Sequence, residues 1–422
     1  MLLTAWAGWP GQAGEVDGRF ALAVEPVSVE DAPPRLTSAL INAAQPLRVH
    51  APSIVALPDG RLFATWFGGT REGATDVNIY AAYRAADELA WGPQQVIASP
   101  QQTTRDTGFF TRKLGNPVAL LTPGGELWVI YVSVTMGGWA TSQLNLLRSP
   151  DLGQHWRPAS RLVTSPFFNL STLVKGVPVF FANGDIGVPV YHELAGKFAE
   201  LLVLAPTGEV RRKIRMDHGR RTLQPVVLVQ DTRRAVALMR TASGTRAWRG
   251  ETEDGGLHWR TPQETTLANP NSALAAFRLG DGRLLAVAND TEDQRLRLSL
   301  LVSEDEGWHW RAIHRFEDRQ ESFGQTLTPA SIRAATLDEL DRLGPGPEAE
   351  AVLAKLERNL CKNLDEQDGR EGEADCGWQY DYPYIIQDAK GDFHLVYTWN
   401  RSFIRHISFN MAWLRQRLEQ TQ

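Results

Sequence analysis

The sequence has little cysteine, no long apolar run and no excess of basic residues. Cys361 and Cys376 are the only cysteines among 422 residues, and the segment between them has no histidine or CxxC pair at zinc-site spacing. We therefore expect no metal site and no cofactor. The two cysteines fit either a disulfide in an exported protein or two free thiols in a cytosolic one.

Charge and hydropathy exclude two kinds of partner. The formal net charge is −5, so the chain has no overall positive field to hold nucleic acid. No apolar run reaches the roughly 18 residues that a transmembrane helix needs. We expect neither nucleic-acid binding nor a membrane-spanning helix.

The N-terminus begins with a short, partly apolar stretch, MLLTAWAGWPGQAGE, which lacks the basic residues that open an export signal. We interpret residues 1–40 as an N-terminal extension, and a truncated export signal is one interpretation of its start. This favours a periplasmic or secreted location over a cytoplasmic one.

Three stretches share one pattern: a hydroxyl residue, Asp at +2, Gly at +4 and Trp at +7. They read SPDLGQHW (149–156), TEDGGLHW (252–259) and SEDEGWHW (303–310). Hydroxyl and carboxylate oxygens accept from backbone N–H groups in a turn, glycine supplies a positive φ, and tryptophan anchors the turn on neighbouring strands. We predict a structural and not a catalytic role for the three aspartates: Asp151, Asp254 and Asp305.

A second repeat consists of an apolar strand, a tight Gly or Asp turn and another strand, which is typical of a β-hairpin. The three Asp-containing turns follow the second, fourth and fifth hairpins at similar offsets. This constant phase predicts an all-β fold, a six-bladed β-propeller spanning residues 41–422. The six hairpins cover residues 54–66, 118–132, 177–191, 226–239, 275–288 and 385–399.

An insertion of about sixty residues, roughly 317–378, separates the fifth and sixth hairpins. Its segment ATLDELDRLGPGPEAEAVLAKLERNL has helical composition, broken at GPGP. We predict a helical insertion between blades five and six. It is either a lid over one face of the propeller or a helical hairpin packed on the blade edge.

The repeated turns resemble the Asp box, or BNR repeat, of the sialidase (neuraminidase) superfamily, and the resemblance covers about residues 48–408. It implies an arginine in the first blade, where VHAPSI (49–54) has His50 instead. It also implies an arginine and an acid/base aspartate within FGGTREGATDVNIYAAYR (67–84). Arg71 and Asp76 match these two positions.

The same resemblance places the remaining site residues in later blades. VALMRT (236–241) gives Arg240 and RLRLSLLVSEDEG (295–307) gives Arg295, the two arginines expected to bind a substrate carboxylate. DYPYIIQDAKGDFHLVY (381–397) gives the nucleophile Tyr382. The family's glutamate, which assists the tyrosine, is replaced by Gln224 in TLQPVVL (222–228).

The retained residues form a coherent chemical set. A sugar whose anomeric carbon bears a carboxylate repels an anionic nucleophile, so a neutral tyrosine is used in its place. Arginine forks bind the carboxylate, and Asp76 would protonate the leaving oxygen. The changes to His50 and Gln224 weaken the carboxylate clamp and remove the base. Three further residues could compensate, although each fits a structural role as well. Lys113 and His192 could serve an anionic ligand, and Glu193 could be the missing carboxylate or could orient His192.

Three functions follow as hypotheses. The first is a sialidase-like exo-glycosidase that hydrolyses a terminal acidic sugar through Tyr382 and Asp76. The second is a polysaccharide lyase acting on uronic acids, with His50 or His192 as base and Tyr382 as acid. The third is a propeller that binds acidic glycans or a protein partner without turnover, since a fold does not determine an activity. Both enzymatic hypotheses predict an acidic glycan or oligosaccharide as the substrate.

Overall fold

The computed structural model describes residues 16–22, 32–41, 48–165, 169–325, 327–344, 346–362 and 375–420. The strands of the first three sheets are β2 (Arg48–Ala56), β3 (Leu62–Gly69), β4 (Asn78–Arg84), β5 (Gln95–Ala98), β6 (Lys113–Leu121), β7 (Leu127–Val134), β8 (Gln143–Ser149), β9 (Ser160–Leu162), β10 (Leu173–Val174), β11 (Val179–Phe180), β12 (Ile186–His192), β13 (Phe198–Leu204) and β14 (Val210–Arg215).

The remaining strands are β1 (Leu36–Leu40), β15 (Thr222–Val229), β16 (Ala235–Thr241), β17 (Arg246–Thr252), β18 (Gln263–Ala268), β19 (Ala275–Arg278), β20 (Leu284–Ala288), β21 (Arg297–Ser303), β22 (Arg311–Asp318), β23 (Cys361–Lys362), β24 (Asp375–Cys376), β25 (Tyr380–Gln387), β26 (Phe393–Trp399) and β27 (Phe403–Phe409). The helices are α1 (Pro100–Thr107), α2 (Pro329–Leu337), α3 (Leu340–Leu343), α4 (Ala349–Leu360) and α5 (Met411–Gln420).

Six antiparallel sheets surround a common axis, which confirms the six-bladed propeller. Blades one to five are β2–β5, β6–β9, β10–β14, β15–β18 and β19–β22, and blade six contains β25, β26, β27 and β1. The first strands of neighbouring blades contact one another, β2 with both β6 and β25 and β19 with both β15 and β25. The first strands therefore line the axis, and buried apolar side chains fill the spaces between blades.

The ring closes through pairing of the two ends of the propeller. Strand β1 pairs antiparallel with β27 from Leu36 opposite Phe409 to Leu40 opposite Arg405, and so forms the outer strand of blade six. Residues 36–40 fall within the predicted N-terminal extension, yet they belong to the propeller. A strand of five residues gives only a weak pattern, and its partner lies more than 360 residues away in sequence.

A backbone bulge recurs in the innermost part of every blade. Six residues with positive φ occupy equivalent places before the hairpins, and four of them precede a proline, which has no N–H to offer to the ladder. The strand register shifts at four of these places, between His50 and Ser53 for example. The bulge residues, which interrupt the alternation of the strand at the axis, are Ala51, Asn116, Gly176, Gln224, Asn271 and Tyr382.

The Asp-containing turns join the third and fourth strands of blades two, four and five, far from the axis. In the turn of blade five, Asp305 Oδ1 accepts from Ser303 Oγ at 2.8 Å and from His309 N at 2.9 Å. Trp310 Nε1 donates to Gly307 O at 2.8 Å. Asp151 and Asp254 make the same contacts within their own turns. These aspartates stabilise their turns, as the pattern predicts.

The insertion begins after Asp318, where β22 ends, and returns to the propeller at Tyr380. Helices α2 and α4 pack their apolar side chains into one core with blades five and six; Ile332, Leu356 and Trp378 are among its buried members. Strands β23 and β24 pair with Cys361 opposite Cys376. The two alternatives of the sequence analysis, a disulfide or two free thiols, both stay predictions.

Two buried histidines of blade six form a chain of hydrogen bonds. Trp91 Nε1 donates to His406 Nδ1 at 3.3 Å, so His406 is left to donate from Nε2 to His394 Nδ1 at 3.1 Å. His394 Nε2 then donates to Asp388 Oδ2 at 3.2 Å. Every ring nitrogen is used when both histidines are neutral. Burial is the main cause that lowers the pKa of each, that of His406 well below its usual value.

We expect the protein to lose stability as the pH falls below about 6.5, where the histidines of an unfolded chain take up protons. Because the folded state keeps His394 and His406 neutral, the unfolded state binds more protons there. The cost approaches about 1.4 kcal/mol per pH unit for each histidine. Thermal unfolding between pH 8 and 5 measures this slope. The variant His394→Gln/His406→Gln cannot titrate and should give a flatter slope; an unchanged slope would contradict the assignment.

Candidate functional site

Side chains from four blades meet at the axis. Gln224 Nε2 donates to Tyr382 Oη and to Tyr191 Oη, both at 3.3 Å, and Asn116 Nδ2 donates to Tyr191 Oη at 3.1 Å. Gln224 is 1% and Tyr191 2% exposed, so this network lies at the floor of the site. We call these four residues, from blades two, three, four and six, the tyrosine cluster.

The orientation of the Gln224 amide follows from its neighbour Arg240. Arg240 NH1 donates to Gln224 Oε1 at 3.1 Å, and a guanidinium has no acceptor. The Gln224 amide nitrogen must therefore face the two tyrosines. Gln224 supplies a hydrogen bond to the Tyr382 oxygen and cannot take its proton, so it does not replace a glutamate base.

The two predicted arginines lie against the same residue, the bulge residue Asn271. Arg240 Nε donates to Asn271 Oδ1 at 2.8 Å, and Arg295 NH2 donates to Asn271 O at 2.7 Å. Arg295 NH1 also donates to Asp381 Oδ1 at 2.8 Å. Burial lowers the pKa of Arg295, but the charge and hydrogen bond of Asp381, together with Tyr382 and Glu72, raise the pKa overall. Asn271 thus brings both cations into one region beside Tyr382.

Tyr382 carries the central phenol. Its backbone φ is 53°, and its ring meets the His50 ring edge to face with centroids 4.5 Å apart. Burial raises the pKa of Tyr382, and the Arg240 charge opposes that rise. Beneath it, Lys175 Nζ donates to Pro383 O at 3.1 Å and lies 5.4 Å from the Tyr382 ring centroid. Burial lowers the pKa of Lys175 to about 7.

His50 takes the place of the expected first arginine. Burial lowers the pKa of its imidazole, so the ring is neutral near neutral pH. Its Nδ1 is buried without a hydrogen-bond partner among the residues that the structure describes. A neutral imidazole with an open ring nitrogen can accept a proton or a ligand hydrogen bond.

The loop after β3 forms the rim above His50. A cavity of about 30 Å³ is lined by His50, Arg71, Glu72 and Arg401 among others. Arg71 and Glu72 are exposed at its edge. Asp76 is exposed too, but both of its oxygens are occupied by Thr70, whose N and Oγ1 lie 3.0 and 3.1 Å away.

Lys113 lies close to this rim, in the first strand of blade two. Its Nζ is 4.6 Å from the centroid of the Trp139 ring, a cation–π contact. Burial lowers the pKa of Lys113, and Glu72 is the nearby charge that opposes the shift. Lys113 is therefore a cation of the rim.

His192 and Glu193 lie at the end of β12 and serve that turn. His192 Nε2 accepts from Ala195 N at 3.0 Å, and its ring stacks on Phe198 with centroids 4.5 Å apart. Burial lowers the pKa of His192 to about 4. Glu193 N donates to Ser171 Oγ at 2.8 Å. These contacts tie both residues to the end of blade three. The Glu193 charge adds to the burial that raises the pKa of Tyr191 in the tyrosine cluster.

A larger cavity, of about 540 Å³, lies between the propeller and the insertion. Arg295, Asn400 and Arg401 form its propeller side, while Phe323 and Trp378 belong to the insertion. Arg401 lines both cavities. The insertion therefore forms one wall of a cavity next to the site.

Sequence reasoning missed part of this site, although a signal was present. The dipeptides Asn-Pro at 116, Gln-Pro at 224 and Tyr-Pro at 382 mark bulges whose residues join the tyrosine cluster. The residue before a proline avoids helical φ and ψ, and such a repeat ahead of each hairpin indicates a shared backbone feature. The residues that sequence reasoning did not assign to the site are Glu72, Lys175, Tyr191, Asn271 and Asp381.

Comparison with known proteins agrees with this architecture. Residues 60–395 match the model of the BNR repeat-like domain, and the chain belongs to that family as a divergent, sialidase-like member. No curated protein matches the sequence. Among the described residues, no group of histidine, cysteine and acidic side chains could hold a metal ion, and no helix is long and apolar enough to cross a membrane.

Solved structures show the same fold at low sequence identity. A Hadza microbial sialidase is 16% identical with a TM-score of 0.61; the match covers 86% of this chain and 66% of that one. An intramolecular trans-sialidase from Ruminococcus gnavus is 11% identical with a TM-score of 0.61, over 89% of this chain and 98% of that one. A protein of unknown function from Dyadobacter fermentans is 15% identical with a TM-score of 0.56, over 89% and 98%.

Proposed function

We propose that this propeller is an exo-glycosidase that hydrolyses a terminal, carboxylated sugar, with Tyr382 as its nucleophile. The observation that carries the proposal is the shared network at the axis. One amide, Gln224, joins the Tyr382 phenol to Arg240, and one residue, Asn271, joins Arg240 to Arg295. A phenol beside two guanidinium groups suits a substrate with a carboxylate next to its reacting carbon.

Each residue has a separate task in this reaction. The Tyr382 oxygen attacks the anomeric carbon, and the Gln224 N–H with the Arg240 charge stabilises the oxygen as it loses its proton. His50, neutral and with Nδ1 open, is the base that we assign to that proton. The leaving oxygen takes a proton from a carboxyl group of the loop at 70–76, which holds both Glu72 and Asp76.

A second candidate, a lyase acting on uronic acids, is favoured by the position of His50. The neutral imidazole of His50 offers a base that can remove a carbon-bound proton. The Tyr382 phenol, whose ring contacts that imidazole, can donate a proton to the leaving oxygen. Arg240 would then neutralise the uronate carboxylate. Hydrolysis is preferred because both arginines and the Gln224 amide converge beside the phenolic oxygen.

The first experiment is a screen of the purified protein against 4-methylumbelliferyl glycosides of sialic and uronic acids and against acidic polysaccharides. Fluorescence reports hydrolysis, and near-ultraviolet absorbance of an unsaturated product reports elimination. Binding of a glycan without either product would indicate a glycan-binding propeller and overturn the proposed hydrolysis.

We also propose that the protein acts on glycans outside the cytoplasm.

Arg240→Lys should raise KM for a carboxylated substrate by about 10–100-fold, because lysine keeps the charge but loses the two-pronged geometry. The matched control is Arg246→Lys in the same blade, where the guanidinium pairs with Glu292 at an exposed site. Steady-state kinetics of both variants measure the effect. Equal KM values for the wild type and Arg240→Lys would remove Arg240 from the carboxylate site.

A further inference from the structure

The rim loop contains two carboxylates with different surroundings. Asp76 accepts two hydrogen bonds from Thr70 and so closes its own loop. Glu72 lines the cavity beside His50, whereas Asp76 is not among the described residues that line it. Of these two loop carboxylates, Glu72 is therefore the one that faces the site.

Glu72 is held from a second blade. Trp139 Nε1 donates to Glu72 Oε1 at 3.1 Å, which leaves Oε2 open. The Trp139 ring lies directly against Gly115 in β6, where a Cβ atom would come within 2.5 Å of the indole. Glycine at this position thus permits the indole to approach the strand. The position of Glu72 depends on this contact and not only on its own loop.

The charge of Glu72 acts on the side chains that the proposed reaction uses. Burial raises the pKa of Tyr382, and Glu72 adds to that rise. Burial lowers the pKa of His50, and Glu72 is the largest charge that opposes it. The same carboxylate also acts on Arg295 and Lys113. Glu72 is therefore an ionisable group that lies beside the site and acts on the proposed nucleophile, the proposed base and an arginine.

We infer that Glu72, and not Asp76, is the general acid and base of the reaction proposed above. When Tyr382 Oη bonds to the anomeric carbon, the bond to the leaving oxygen breaks and that oxygen takes the proton of Glu72, while the phenolic proton goes to His50. Water then attacks the anomeric carbon and gives a proton to the Glu72 carboxylate. The Tyr382 bond breaks and its oxygen recovers the proton from His50.

The test compares Glu72→Gln with Asp76→Asn on two glycosides of the same acidic sugar, one with an aryl and one with an alkyl leaving group. An alkyl alcohol needs protonation to leave, whereas 4-methylumbelliferone leaves readily without it. Glu72→Gln should lose about 10²–10⁴-fold in kcat on the alkyl glycoside and far less on the aryl one.

Asp76→Asn keeps an acceptor for Thr70 and should affect the two substrates equally. The inference is overturned if Asp76→Asn shows the dependence on the leaving group, or if Glu72→Gln loses the same factor on both substrates. If the wild type and Glu72→Gln are equally active, the inference about Glu72 is overturned but the proposed hydrolysis is not. Absence of turnover by the wild type on every acidic glycoside overturns both. Trp139→Phe should give a weaker form of the Glu72→Gln profile.

Discussion

Tyr382→Phe is expected to lower kcat on acidic glycosides by at least about 10³-fold, the scale of losing a nucleophile. The substitution removes only the phenolic oxygen and its hydrogen bond with Gln224. It keeps the ring that contacts His50 and Lys175. The loss should therefore fall on the chemical step, with the fold and substrate binding retained.

The matched control is Tyr384→Phe, two residues further along the same strand. Tyr384 also contacts Lys175 through its ring, and its hydroxyl lies 3.5 Å from Gly176 O, away from the arginines. Its variant should keep kcat within about tenfold of the wild type, because no reacting atom is lost. A fluorinated acidic sugar should label the wild-type protein at residue 382 in a mass spectrum. Turnover by Tyr382→Phe at the wild-type rate would remove Tyr382 as nucleophile.

The propeller could be predicted from sequence because its signals are local and repeated. Each hairpin consists of neighbouring residues, and Asp305 and Trp310 make their side-chain hydrogen bonds to residues of the same turn. Six copies in constant phase define a closed ring. Strand β1 escaped this reasoning because it pairs with β27 at the far end of the chain.

The candidate site could be predicted only in part, because its geometry depends on contacts between blades. Sequence similarity indicated Tyr382, Arg240 and Arg295, and the structure places the two arginines on Asn271. The donor role of Gln224 depends on Arg240 sixteen residues away. The difference between Glu72 and Asp76 depends on Trp139 in another blade. No local pattern contains these relations.

The exchange of a glutamate for Gln224 is consistent with the rest of the floor. Gln224 contacts two tyrosine hydroxyls and one guanidinium, so its amide satisfies all three without adding a charge. A carboxylate at that place would accept from Arg240 and from both hydroxyls. In the reaction proposed above, Gln224 donates to the phenolic oxygen, and proton acceptance is assigned to His50, whose ring lies beside the Tyr382 ring.

A buried ion pair joins the insertion to the closure of the ring, and its loss should have the largest effect on stability. Arg405 NH1 donates to Glu317 at 2.6 Å, Nε donates to Ser38 Oγ at 3.0 Å, and NH2 donates to Arg342 O at 3.2 Å. The Glu317 side chain is 3% and the Arg405 side chain 9% exposed. Blade five, strand β1 and helix α3 therefore meet at one guanidinium.

Glu317→Ala is expected to lower the free energy of unfolding by about 3–5 kcal/mol, because it leaves the Arg405 charge buried without its partner. Urea unfolding followed by tryptophan fluorescence measures the change. The double variant Glu317→Leu/Arg405→Met removes both charges and should recover much of the loss, since a buried pair replaced by apolar groups is often close to neutral.

Glu292→Ala provides the comparison at the surface, where Glu292 pairs with Arg246 and both side chains are exposed. Its cost should stay below about 1 kcal/mol. If Glu317→Ala cost no more than Glu292→Ala, the pair would not hold the ring closed. A large cost that the double variant fails to recover would instead assign the stabilisation to the other bonds that it removes, those of Arg405 with Ser38 and Arg342 and that of the Tyr397 hydroxyl with Glu317.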